Sequence, residues 1–145
     1  MPLWQKFIQS VLSLSEEYNI SSIIDVGALL AGCSLKDEII PWITCHENFN
    51  RNRQFKGVSF CHENEWVVYQ LSNFEIIKKG TNLPDHETFV IFDEYRTRGA
   101  DMKMNTNMAA AVSLGPNLTK DNLMQAAGRL RKIGRNQKLV FMMTP

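Results

Sequence analysis

Apolar residues recur at helical spacing near the start of the chain: Leu3/Trp4, Phe7/Ile8, Val11/Leu12 and Leu14. The stripe predicts an amphipathic helix over 3–17, with Gln5, Lys6, Gln9, Ser13 and Glu16 turned away from it. Residues 1–18 therefore read as an N-terminal packing helix, and 19–145 as one α/β lobe. Ile20 to Asp25 (ISSIID) has the length and composition of a short strand, and Gly27 marks the turn leaving it. Ser34 is placed to cap a helix over Leu35 to Ile43, with Asp37 as the capping-box acid three residues on. Pro41 should end or kink that helix. Residues 44–56 (TCHENFNRNRQFK) are polar and without period, and read as a loop or insertion.

Further along, the pattern changes from helical to extended. GVSFC (57–61) and WVVYQ (66–70) flank HENE and predict a hairpin or two adjacent strands. Asn73 to Asp85 reads as a connection, with turn signals at Lys79-Gly80 and Leu83-Pro84. FVIFD (89–93) and AAAVSLG (109–115) are continuous apolar runs, as expected of parallel strands buried on both faces. Leu118 to Ile133 predicts a helix capped by Thr119, with Leu123, Met124, Ala127, Leu130 and Ile133 inward, and KLVFMM (138–143) is a last strand. Buried runs alternating with helices imply a three-layer α/β fold around a largely parallel sheet, without internal repeats.

Composition narrows the class. Across 145 residues, 44% are hydrophobic and 21% charged, with five Pro and eight Gly, which excludes a disordered or collagen-like chain. Sixteen basic against fifteen acidic side chains leave a net charge of +1, so bulk charge supports neither nucleic-acid nor anionic-membrane binding. Cys33, Cys45 and Cys61 are odd in number and lack a CxxC pair. They read as reduced thiols of an intracellular protein, cytoplasmic rather than nuclear, with no metal site expected. No run approaches eighteen apolar residues, and Lys6 and Gln9 interrupt the first helix, so neither a membrane span nor a signal peptide is expected.

Candidate chemistry is concentrated between residues 89 and 135. Gln125, Arg129 and Lys132 recur at four and three residues and share a helix face opposite the apolar stripe, with Arg131 flanking them. An arginine fork holds phosphate or carboxylate oxygens in pairs, so this face is either a binding surface or a solvated one. Asp93 and Glu94 end a buried strand, where α/β sheets open their ligand crevice, and could equally join an ion-pair network. Asp101 is open to two readings, a loop-capping carboxylate or a nucleotide contact.

The order strand, TRGAD loop, strand and QAAGRLRK helix resembles the second RecA-like lobe of superfamily-two helicases. That resemblance implies a nucleotide- and nucleic-acid-coupling loop at Thr97, Arg98, Gly99, Ala100 and Asp101. It also implies an arginine-finger helix carrying Gln125, Gly128, Arg129 and Lys132, with a lysine at the second finger position. No GxxxxGK motif followed by Ser or Thr is present, so the chain alone has no phosphate cradle and no cofactor is expected.

A second resemblance runs over residues 20–143, through Ile24 to Gly32, Phe92-Asp93-Glu94, Thr97 to Lys103, Ala111 to Gly115 and Gln125 to Gly134. It is similar to the conserved C-terminal region of very large, uncharacterised eukaryotic proteins labelled ubiquitinyl hydrolases. Membership would imply a cysteine-type deubiquitinase label, a fragment or short paralogue, ubiquitin as a possible partner, and a larger protein context with an upstream lobe. A thiol hydrolase needs Cys and His within hydrogen-bond reach. The candidates are Cys45-His46 and Cys61-His62, adjacent in sequence, and Arg96 stands where the large relatives commonly place a histidine. If Cys61 lies in a strand, its neighbour His62 points to the opposite face. The expectation is a family-associated ubiquitinyl hydrolase that is not catalytic as this isolated chain, with a non-catalytic protein-interaction lobe of a larger protein and a nucleotide- or nucleic-acid-binding helicase-like lobe as alternatives, and no membrane partner.

Overall fold

The computed structural model describes residues 2–51, 55–79, 83–93, 109–115 and 138–143. The first helix, α1, spans Leu3–Tyr18 and ends at Asn19, whose left-handed backbone (φ 56°) closes the last turn. Phe7, Ile8, Val11 and Leu12 are buried on its inner stripe, with Trp4 and Leu14 partly covered, whereas Leu3 stays exposed. Strand β1 (Ile20–Ile24) follows at once, with every residue buried.

Helix formation after Ser34 takes an unexpected form. The Ser34 hydroxyl accepts from the Asp37 amide at 3.1 Å, as the capping pattern predicts. Residues Leu35–Ile39, however, wind as a π-helix before α2 (Ile40–Thr44) begins. Pro41 supplies the reason. It has no N–H to donate and its ring crowds the carbonyl four residues back, so a wider turn leads into it and it sits in the first turn of α2.

The polar stretch 44–56 is not simply a loop. Helix α3 (Glu47–Arg51) lies within it, and Phe49 and Phe55 are buried against Phe89 with ring centroids 5.9 and 5.4 Å away. Two phenylalanines six residues apart carry too little periodic signal to announce an element. Their burial is decided by the sheet beneath them.

Strands β2 (Gly57–His62) and β3 (Glu65–Gln70) form the expected antiparallel hairpin. Its two-residue turn, Glu63-Asn64, has positive φ at both positions (51° and 66°), the handedness that tight hairpins require. The connection after Asn73 also contains β4 (Ile76–Lys78), antiparallel to β3 and too short to read from sequence. Beyond it lie β5 (Thr88–Phe92), β6 (Ala109–Leu114) and β7 (Lys138–Met143).

All seven strands join one sheet in the order β4-β3-β2-β5-β1-β6-β7. Neighbours from β2 to β7 run parallel, and only the β3 and β4 wing is antiparallel. The three apolar runs 89–93, 109–115 and 138–143 thus lie in a single largely parallel sheet, as their composition predicts. The result is a mixed α/β domain. The helix expected over 118–133 lies outside the described residues.

One face of the sheet packs under the described helices. Ile20, Ile23, Val58, Phe60, Phe89, Ile91, Ala109 and Ala111 join the α1, α2 and α3 side chains in one core. Ile24, Val90, Phe92, Ala110 and Val112 form a second buried cluster on the opposite face. A register shift between Ile20 and Ser22 against β6 lets β1 change phase and send both Ile20 and Ile23 to the helical face. Each fully buried Phe or Ile contributes about 1.5–3 kcal/mol of hydrophobic stabilisation, so packing on both faces holds the central strands in place.

Candidate functional site

The parallel strands β2, β5, β1 and β6 bring Cys61-His62, Asp93, Asp25 and Ser113 toward one end of the sheet. This is the carboxyl end, where open α/β sheets form their ligand crevice. Asp93 follows β5 directly and is exposed. Glu94, Arg96, Thr97, Arg98, Gly99, Asp101, Gln125, Arg129, Arg131 and Lys132 lie outside the described residues.

The structure separates the first Cys-His pair. Cys61 stands opposite Trp66 on β3, and His62 stands opposite Glu65. As successive residues of a regular strand they face opposite sides of the sheet, so the imidazole cannot reach the thiol. His62 Nε2 lies 3.8 Å from Glu63 Oε1, and its ring tilts against Phe60. Burial pushes the Cys61 thiol up from its ordinary value, and the Asp93 carboxylate adds to this; a backbone hydrogen bond at Asn64 opposes it. A nucleophilic cysteine needs the reverse, an environment that favours thiolate.

The second pair has a different outcome. Cys45 caps the end of α2 and is exposed, its amide bonded back to Ile43 and Pro41. The His46 ring packs on Trp42 with centroids 4.8 Å apart, and Trp42 meets Trp4 of α1 edge-on at 5.5 Å. His46 is therefore part of an aromatic seam joining α1 to α2. The remaining thiol, Cys33, is pushed up by burial and then by neighbouring Glu38.

Sequence reasoning missed the most highly organised polar group at this end. Asp25 is 2% exposed. Its Oδ1 accepts from the Leu29 amide at 2.9 Å and from the Ser113 hydroxyl at 2.5 Å. Its Oδ2 accepts from the Leu30 amide at 2.8 Å. Ser113 in turn accepts from the Gly27 amide through both its hydroxyl and its carbonyl, each at 3.0 Å. Two glycines allow this closeness: a Cβ on Gly27 would lie 2.5 Å from the Gly115 nitrogen. The available signal was an acid ending an apolar strand, two residues before a glycine. Nothing local pointed to Ser113, 88 residues away.

Among the described residues no group of His, Cys, Asp and Glu side chains could hold a metal ion. No described helix is long and apolar enough to cross a membrane. Comparison with protein families, with curated proteins and with solved structures finds no match for this chain.

Proposed function

We propose that this chain is a non-catalytic interaction lobe of a larger protein, built as a helicase-like α/β lobe and related to proteins labelled ubiquitinyl hydrolases. The observation that carries the non-catalytic reading is the placement of Cys61 and His62 on opposite faces of the sheet. The raised Cys61 thiol and the engagement of His46 with Trp42 support it further. The helicase-like part rests on the parallel order β2-β5-β1-β6-β7 and on the QAAGRLRK sequence. In this reading Gln125, Arg129 and Lys132 form the docking face, flanked by Arg131, and receive an acidic surface of an upstream lobe.

A ubiquitin probe carrying a thiol-reactive carboxyl terminus tests the catalytic half of the proposal. Incubation with the chain should leave all three cysteines unlabelled by ubiquitin. Covalent labelling that disappears in Cys61→Ala or Cys45→Ala would overturn it. For the docking half, Arg129→Ala should leave the domain folded and weaken binding of a separately expressed upstream fragment. Loss of a buried charged partner at an interface costs roughly 2–5 kcal/mol, whereas loss from a solvated face changes little.

A further inference from the structure

We infer that Asp25 is an internal ligand: its carboxylate fills the anion position at the carboxyl end of β1 and closes the crevice between β1 and β6 to phosphate. The inference is independent of whether the chain is a hydrolase.

The loop after β1 has the features of an anion cradle. Ala28 takes a left-handed backbone with φ 56°, and the next two amides, of Leu29 and Leu30, both donate to the Asp25 carboxylate. Successive N–H groups in such a turn form a concavity that holds anionic oxygens. Here each amide meets a different oxygen of the same carboxylate, at 2.9 and 2.8 Å. The Ser113 hydroxyl adds a third donor from a strand on the other side of the crevice. Two phosphate oxygens would be received by the same pair of amides and the same hydroxyl. The chain supplies its own anion in their place.

Space leads to the same conclusion. Gly27 and Gly115 approach so closely that even a methyl group on Gly27 would collide with backbone. Asp25 is buried, and the Gly27 amide is already shared by two acceptors on Ser113. An incoming phosphate would have to displace a covalently tethered carboxylate at high effective concentration and force two backbones apart.

Removing the carboxylate should expose the vacancy. The probes are acetate, which matches the side chain lost in Asp25→Gly, and inorganic phosphate, with chloride at equal ionic strength as the control. The wild-type chain should show no saturable amide shift at Leu29 or Leu30 with either probe by NMR. Asp25→Gly should have a lower Tm than wild type in chloride, and acetate and phosphate should raise it in a saturable way. If the variant is unfolded in chloride, recovery of its far-UV circular dichroism in acetate or phosphate is the same result. Saturable phosphate shifts at Leu29 and Leu30 of wild type would show the cradle to be open. Equal behaviour of the variant in chloride, acetate and phosphate, folded or not, would reduce Asp25 to a simple loop brace. Either outcome overturns the inference.

Discussion

The centre and the wing of this sheet are built on different rules. At the centre, β5 and β1 are buried along their whole length, and each pairs in parallel with strands remote in sequence. At the wing, β3 and β4 are largely half-exposed and pair with their nearest neighbours in the chain. Parallel pairing carries a loop-closure cost before its contacts form, so the centre depends on dense packing. A hairpin needs chiefly a turn of the right hand. Substitutions should therefore act through packing volume at the centre and through backbone conformation at the wing.

The sharpest contrast is between Phe89 and Tyr69. Phe89 is 1% exposed and receives the rings of both Phe49 and Phe55 edge-on. Phe89→Ala should destabilise the domain by about 4 kcal/mol, through lost burial and an unfilled cavity. Tyr69, half-covered at the margin of the same core, should cost about 1–2 kcal/mol when truncated to Ala, since it is only partly buried. Urea unfolding of the two variants measures the difference. Equal losses would show that centre and wing share one packing regime.

Gly27→Ala addresses the centre without touching a core side chain. Its new Cβ would meet the Gly115 nitrogen at 2.5 Å and the Leu114 carbonyl carbon at 3.0 Å, and both contacts are backbone. Forced separation of the β1 and β6 ends should cost about 2–3 kcal/mol, the range of overpacked cores. Gly115→Ala should be milder, its nearest contact being the Gly27 carbonyl oxygen at 3.0 Å. A Tm equal to wild type for Gly27→Ala would mean that this approach is loose.

The two regions were also unequally legible. The central strands were readable because FVIF and AAAV are uninterrupted apolar runs and ISSII has the length and composition of a short strand. The β2–β3 hairpin was readable from composition on either side of HENE. Three local features were hidden. Ile76–Lys78 is three residues long, and its strand character comes only from pairing with β3. Phe49 and Phe55 sit in polar sequence, so their burial is a tertiary effect. The π-helix before Pro41 depends on a backbone clash rather than on side-chain pattern. At the site, the Cys61-His62 separation followed from strand alternation alone. The Asp25–Ser113 contact did not, because it joins strands through a pairing that no local window contains.

A gain of stability should be available at the wing. Glu63 and Asn64 both adopt left-handed backbone, which disfavours Glu in particular. Replacing the pair by Asn-Gly, the preferred sequence for this turn, should raise stability by about 1 kcal/mol and leave the sheet register unchanged. A matched rise in the urea midpoint with an unaltered slope checks this. The same strategy has no counterpart at the centre, where neighbouring strands run parallel and need crossover connections.

The smallest effect is expected at the seam between the two regions, where Cys61 on β2 faces Trp66 of the wing and feels Asp93 at the end of β5. Burial first and Asp93 second hold its thiol above the ordinary value of 9.0. The folded protein thus binds this proton more tightly than the unfolded chain does. The resulting stabilisation is fully present below the unfolded value, and is lost as pH rises through the higher folded one. At pH 8, iodoacetamide should alkylate Cys61 more slowly in the native protein than in urea, with mass-spectrometric peptide mapping to separate it from Cys33 and Cys45. Asp93→Asn removes the like charge while keeping shape, so it should speed native alkylation and move the rate profile to lower pH. Burial remains in that variant, which should therefore recover only part of the urea rate. If Asp93→Asn leaves the profile where it was, the carboxylate does not act on Cys61, and the seam is governed by burial alone.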